Sequence, residues 1–168
     1  MSYVFRTDWA NDNRFGDILV EITARQGRRQ TGGTWTRPDI VIAAVRVFPY
    51  VPGRHFDLIT VEVKPSWAID LTAVYEALAH RRAATQAYVW FHLAEADFDL
   101  DDERFRAITA EAERHGVGVI VASDPNVYNT WDTLVDARRV SPDPEALNDF
   151  IAVQLTDDSK QRLGRGVR

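Results

Sequence analysis

The stretch that decides the fold runs Asp57-Leu58-Ile59-Thr60-Val61-Glu62-Val63-Lys64-Pro65. Successive side chains of a β-strand point to opposite faces, so this segment has two distinct sides. One side is apolar and carries Ile59, Val61 and Val63, and the other carries Leu58, Thr60, Glu62 and Lys64. Because β-branched residues favour strands and proline cannot continue the backbone ladder, we predict a strand from Phe56 to Lys64 that Pro65 stops.

The segments on either side of this strand predict a mixed sheet. An apolar run from about Asp39 to Phe48 and a turn rich in proline and glycine come first, which indicates a hairpin. Four elements are expected afterwards: a helix from Asp70 to about Gln86, a strand Ala87 to His92, a helix from about Asp101 to His115, and a strand Val117 to Ala122. Strand, helix, strand order implies parallel pairing, so we expect an α/β fold with a mixed β-sheet flanked by helices.

The two ends of the chain are less regular. Apolar residues at helical spacing predict a helix near Asn13 to Gln26, with Glu21 and Asp17 on its polar side. Residues 126–139 are ambiguous, and Pro144 to Leu155 is expected to be a modest helix. We expect one domain over residues 1–155 and a disordered basic tail over residues 156–168.

Composition narrows the class of protein. A chain of 168 residues that is 45% hydrophobic can bury one sizeable core. The absence of cysteine excludes disulfides and thiolate metal sites. The longest apolar stretch, Asp39 to Tyr50, is short and contains Arg46, so we expect no membrane span, no signal peptide and a cytoplasmic protein.

Charge is unevenly distributed along the chain. The formal net charge is −5, but acids concentrate between Glu95 and Glu103. Net charge therefore neither supports nor excludes nucleic-acid binding, which depends on local patches. The candidates for contacts with a phosphate backbone are Arg25, Arg28, Arg29, Arg37 and Arg81.

Two carboxylates and a lysine form the candidate chemical site. Asp39 and Glu62 can supply the oxygen ligands that Mg²⁺ prefers, and the backbone carbonyl of Val63 can add another. Cleaving a phosphodiester requires neutralising charge on the phosphoryl oxygens and activating water, which such a cation does. Lys64, one of only two lysines, would position or deprotonate the water, since a lysine pKa can shift whereas a guanidinium stays charged.

Pro38-Asp39 followed by Glu62-Val63-Lys64 resembles the PD-(D/E)xK, or restriction-endonuclease-like, nuclease superfamily. The resemblance implies a restriction-endonuclease-like fold and Mg²⁺-dependent hydrolysis of phosphodiester bonds, with Mn²⁺ as a substitute. It implies endonucleolytic action on DNA, with RNA as an open alternative. No sequence-specific reading element is recognisable in the chain, so we expect weak specificity, or recognition supplied by a homodimer mate or another subunit. The family's acid from the preceding helix would correspond to Glu21. Polar residues of the following helix that fit the family's site are Tyr75, Glu76, His80, Arg81 and Gln86.

Three alternatives stand beside this hypothesis. The chain could be a catalytically inactive nuclease-fold module that binds nucleic acid or a protein, or an unrelated α/β interaction module. Glu62 and Lys64 could also be a same-face pair on a solvated strand. The motif is short enough to occur by chance, because Pro142-Asp143 followed by Asp158-Ser159-Lys160 spells it again. Only the first copy lies on segments with strand periodicity.

Overall fold

The computed structural model describes residues 1–24, 37–93 and 102–166. Across these ranges the chain forms six strands and six α-helices. The helices are α1 (Ser2–Arg6), α2 (Asp8–Asp12), α3 (Thr72–His80), α4 (Glu103–His115), α5 (Pro144–Gln154) and α6 (Asp157–Gly166). The strands are β1 (Asp17–Ile22), β2 (Ile40–Arg46), β3 (His55–Pro65), β4 (Gln86–His92), β5 (Gly118–Ala122) and β6 (Trp131–Val135).

The strands form a single mixed sheet in the order β1-β2-β3-β4-β5-β6. β1, β2 and β3 are antiparallel to one another, with Ile42 opposite Ile59 in the hairpin. β3, β4 and β5 are parallel, and β6 returns antiparallel to β5. The hairpin and the parallel pairing predicted from sequence are therefore confirmed, as is an α/β sheet flanked by helices.

Local sequence signals account for the helix boundaries. The Asp102 side chain caps α4 by accepting a hydrogen bond from the backbone N–H of Arg104, and Gly116 ends the helix with a φ of 65°. Asp143 caps α5 in the same way, and Pro144 occupies its first turn. The Asp143 of the second motif copy is thus a helix cap, and Lys160 lies on α6, so this copy forms no sheet site.

The sheet is covered differently on its two faces. On one face, Phe5 of α1 and Trp9 of α2 pack against Ile42, Ile59 and Trp90. On the other face, α3 and α4 cover the β4 and β5 side, while α5 and α6 cover the β1 and β2 side. Thr60, Glu62 and Lys64 of β3 belong to this second face, where the two pairs of helices approach the same strand.

The helix predicted near Asn13 to Gln26 is wrong. Its apolar residues belong instead to β1, an edge strand in which Glu21 lies opposite Val41. Phe15, Ile18, Leu19 and Ile22 recur at helical spacing, while the consecutive Ile18, Leu19 and Val20 suit a strand buried on both sides. Pairing with β2 decides between the two. The chain before them, which the sequence shows only as a polar start, forms α1 and α2.

The disordered tail predicted for residues 156–168 is also wrong, since residues 157–166 form α6. Leu163 packs against the cluster containing Leu19 and Leu155, which holds this polar helix on the sheet. Residues 131–135 of the ambiguous segment form β6. In the part of the chain that the structure describes, none of the helices is both long and apolar enough to cross a membrane.

Candidate active site

Asp39 is fixed to β3 by two hydrogen bonds on either side of Glu62. Its backbone N–H donates to the carbonyl of Val61 at 3.1 Å, and its Oδ2 accepts from the backbone N–H of Val63 at 2.8 Å. The carbonyl of Asp39 accepts from the N–H of Thr23, which follows β1. Three neighbouring strand ends therefore hold this carboxylate beside Glu62.

Lys64 lies between two glutamates. Its Nζ is 2.9 Å from Oε1 of Glu62 and 2.5 Å from Oε2 of Glu76, a residue of α3. All three side chains are largely buried, with 20% of Lys64, 13% of Glu62 and 21% of Glu76 exposed. The strand face and the helix above it thus converge on one ammonium group.

Glu76 is the site residue that sequence reasoning could not choose. On α3, Ala73, Val74, Ala77 and His80 face the sheet. Glu76 lies three residues after Ala73 and four before His80, so it borders the buried stripe and can reach the sheet. That spacing was a usable signal for Glu76, but it required knowing which face of α3 is buried.

The carboxylates hold their protons more tightly than usual. Burial and the nearby Asp39 carboxylate raise the pKa of Glu62 to about 7, although Lys64 opposes the shift. Burial likewise raises the pKa of Asp39, against the hydrogen bond from Val63. Both shifts mark negative charge that the surrounding protein compensates incompletely.

Lys64 remains an ammonium. Burial by itself lowers the pKa of Lys64, but the hydrogen bonds to Glu76 and Glu62 outweigh burial and raise it. A lysine in this state donates hydrogen bonds and supplies positive charge; it does not accept a proton. Of the two roles expected for Lys64, the geometry favours positioning over deprotonating water.

A second charged cluster on β3 shows what a structural ion pair looks like in this fold. Asp57 is fully buried, and its oxygens bind Arg46 at 2.7 Å and Arg139 at 2.6 Å. Its charge is more than balanced by two guanidinium groups. At the other end of the strand, Lys64 contacts Glu62 and Glu76, and Asp39 lies beside Glu62. When all three carboxylates are ionised, they carry two more negative charges than this ammonium balances. Burying such an excess is costly without a further cation.

The donor set suits a hard divalent cation. Carboxylate oxygens are the ligands Mg²⁺ uses, and an excess of two negative charges matches its charge. The buried Thr60 hydroxyl, two residues before Glu62, has no hydrogen-bond partner among the described residues. Within those same ranges, however, no group of three His, Asp or Glu side chains is already gathered for a metal. A cation would therefore be held by Asp39, Glu62 and water, with Lys64 and Glu76 adjoining.

Glu21 has a different set of contacts from the other predicted site residues. It lies on β1, and its Oε1 accepts a hydrogen bond from the backbone N–H of Thr156 at 3.0 Å. Its Oε2 accepts from the Thr156 hydroxyl at 3.2 Å. The expectation that Glu21 comes from a helix is wrong, and its carboxylate fastens the junction between α5 and α6 to the sheet.

The predicted phosphate-contacting arginines are only partly described. Arg25, Arg28 and Arg29 lie outside the described residues. Arg37 is half-buried and close in sequence to Asp39. Arg81 donates to the backbone carbonyl of His115, so it ties the end of α3 to the end of α4.

The helix predicted from Asp70 to about Gln86 is shorter in the structure, since α3 ends at His80 and Gln86 begins β4. The remaining polar candidates of this segment lie in structural settings. The Tyr75 hydroxyl donates to Glu111 at 2.8 Å, His80 is buried, and Gln86 donates to the carbonyl of Ala137. The structure thus brings together Asp39, Glu62, Val63 and Lys64 and adds Glu76. Glu21 lies on the same sheet face but is bonded to Thr156. The contacts of Tyr75, Arg81 and Gln86 lie outside the cluster.

Comparison with known proteins identifies no similar protein of known function. No family model matches the chain, and no curated protein matches it. SPO1766, a protein of unknown function from Silicibacter pomeroyi, is similar with a TM-score of 0.45 and 12% sequence identity, over 86% of this chain and 76% of its own.

Proposed function

We propose that this protein is a metal-dependent nuclease of restriction-endonuclease-like fold that hydrolyses phosphodiester bonds, with DNA as the substrate. The observation that carries the proposal is the partly buried cluster of Asp39, Glu62 and Glu76 around one lysine. Its three carboxylates outnumber the one ammonium that the described contacts place among them, in contrast to the charge balance around Asp57, and this fits a site that binds a cation.

Each residue has a role that follows from its contacts. Asp39 and Glu62 hold Mg²⁺ or Mn²⁺, with the Val63 carbonyl as a further ligand, and the bound cation supplies Lewis-acid stabilisation of the phosphoryl group. Lys64 places an ammonium beside the same group and orients the attacking water. Glu76 holds Lys64 in position from the helix side, at 2.5 Å.

The test is cleavage of plasmid and single-stranded DNA with Mg²⁺ or Mn²⁺. We expect the wild-type protein to cleave, and Asp39→Ala and Lys64→Ala each to lose on the order of 100-fold or more in rate, as when a group that stabilises transition-state charge is removed. Lys160→Ala is the matched control, because Lys160 is the other lysine and closes the second copy of the motif. Cleavage that survives in both site variants would show that the site is elsewhere.

An inactive binding module of the same fold is the second candidate. The short contacts of Lys64 to both glutamates favour it, because these carboxylates already have a cationic partner. This candidate predicts that no form of the protein cleaves DNA, while binding to DNA or to a partner persists. The cleavage experiment therefore separates the two candidates.

A further inference from the structure

Trp67 is a large apolar side chain left in solvent beside the candidate active site. It is 86% exposed, whereas Trp9 and Trp90 are buried in the core. It lies on a single 3-10 turn, Ser66–Ala68, which directly follows β3. It is three positions after Lys64 in the chain, so the two Cα atoms are within roughly 11 Å of each other.

The turn that carries Trp67 is anchored on both sides. Before it, Pro65 is the last residue of β3. After it, Ile69 is buried against the α3 and α4 cluster, and Oδ1 of Asp70 accepts hydrogen bonds from the backbone N–H groups of Thr72 and Ala73. The exposed indole is therefore presented from a fixed backbone, which reduces the entropy lost when it binds a ligand.

A cavity of about 330 Å³ adjoins the indole. Ile69, Leu93 and Phe105 give it apolar walls, and Arg104 supplies a cation at its rim. The Arg104 guanidinium is 61% exposed, although it contacts Asp102 at 3.2 Å. Ser66 and Asp102 also line this cavity, so it is polar as well as apolar. An aromatic face can stack on a base, and the accessible guanidinium beside it can contact a phosphate.

We propose that Trp67 is a stacking platform for an unpaired base of the strand that is cleaved, so that the substrate is single-stranded or locally unpaired DNA. The proposal rests on the proposed function and names the substrate form taken by that site. A phosphate beside Lys64 and a base on Trp67 would belong to nearby nucleotides of the same strand. In a paired duplex the base faces would be stacked within the helix and closed to the indole.

Binding without metal tests the stacking separately from cleavage. Fluorescence anisotropy with a labelled single-stranded oligonucleotide in EDTA gives Kd for the wild type, Trp67→Ala and Trp67→Phe. We expect Trp67→Ala to weaken binding by roughly ten-fold and Trp67→Phe to retain most of the affinity, because stacking needs an aromatic face. Tyr50→Ala is the control, since Tyr50 is 94% exposed at the opposite end of the β2-β3 hairpin.

The base itself is tested with oligonucleotides that lack one base at successive positions. One abasic position should weaken binding to the wild type and leave binding to Trp67→Ala unchanged. Equal Kd values for the wild type and Trp67→Ala, or equal loss on single strand and duplex, would overturn the stacking proposal even if the protein cleaves DNA. Trp67-dependent binding without cleavage by any form would support the stacking and overturn the hydrolytic function.

Discussion

At the scale of single residues, Glu62 distinguishes the candidate site from ordinary surface charge. It shares β3 with Asp57, and both side chains are largely or fully buried. Asp57 is compensated by two arginines, whereas Glu62 has Asp39 beside it and shares its lysine with Glu76. The folded chain therefore favours the protonated form of Glu62, which is a destabilising arrangement at neutral pH unless a cation binds.

Replacing Glu62 with glutamine should flatten part of the pH dependence of stability. The pKa of Glu62 is raised from 4.5 to about 7 in the folded chain, so its contribution to stability is present at low pH and is lost as pH rises through about 7. The full effect is on the order of 3 kcal/mol. Glu62→Gln should thus be more stable than the wild type at pH about 8, and the gain should shrink towards pH about 5.

Urea denaturation in EDTA over this pH range measures the difference. The exposed Glu113→Gln on α4 is the control for removing a carboxylate that has no place in the site. If the free energies of unfolding of the wild type and Glu62→Gln change with pH by the same amount, the pKa of Glu62 is not raised in the folded chain.

The residues of the site differ in how far sequence could predict them. Lys64 and Glu62 share a face because strand alternation requires it, and Asp39 is brought to them by the hairpin. Glu76 could not be selected from sequence alone, because its position depends on how α3 rotates against the sheet. The sequence predicts a helix for Glu21, whereas the residue lies in β1. Its contact with Thr156 spans 135 residues, which no local pattern reveals.

At the scale of elements, predictability follows the clarity of the local signal. α4 has an aspartate cap and a terminal glycine, and β3 has clean alternation, so both were predicted within two residues. β1 is short, and its central residues Ile18, Leu19 and Val20 show no alternation, so only its pairing with β2 makes it a strand. α6 is polar in composition, and its order comes from packing of Leu163 and from the Glu21 contact.

Glu21→Gln should loosen the junction of α5 and α6 and leave the chemistry intact. An uncharged amide accepts more weakly from the Thr156 N–H and hydroxyl, so we expect a loss of about 1–2 kcal/mol in stability. Hydrogen exchange at amides of α6 should accelerate more than at β4. Thr156→Ala, which keeps the backbone donor, should have a smaller effect.

Cleavage activity decides whether Glu21 has this structural role or is the catalytic acid that the family resemblance implies. Under the structural role, Glu21→Gln cleaves at the wild-type rate below its melting temperature. Loss of cleavage with unchanged amide hydrogen exchange at α6 would instead indicate that Glu21 has a catalytic role.

At the scale of the whole molecule, two pairs of helices cover one face of the sheet. The end of β3 that carries Glu62 and Lys64 lies on the same face. α3 and α4 form one apolar cluster with β4 and β5, and α5 and α6 form another with β1 and β2. The carboxylates of Asp39 and Glu62 therefore belong to neither apolar cluster. A cation bound there would relieve their repulsion, so metal binding would be linked to the stability of the entire fold.

Mg²⁺ should raise the melting temperature of the wild-type protein through this site. A ligand at 100 times its Kd stabilises a folded chain by about 2.7 kcal/mol, or about 5–10 °C for a domain of this size. Asp39→Asn and Glu62→Gln should lose most of this shift. Lys64→Ala should keep the Mg²⁺-induced shift or show a larger shift, because removing the competing ammonium leaves the carboxylates more negative. Its cleavage activity should be lost.

Thermal unfolding at matched ionic strength, with NaCl replacing MgCl₂, separates site binding from general screening of a chain with net charge −5. Equal Mg²⁺ shifts in the wild type and Asp39→Asn would place the cation elsewhere on this acidic molecule.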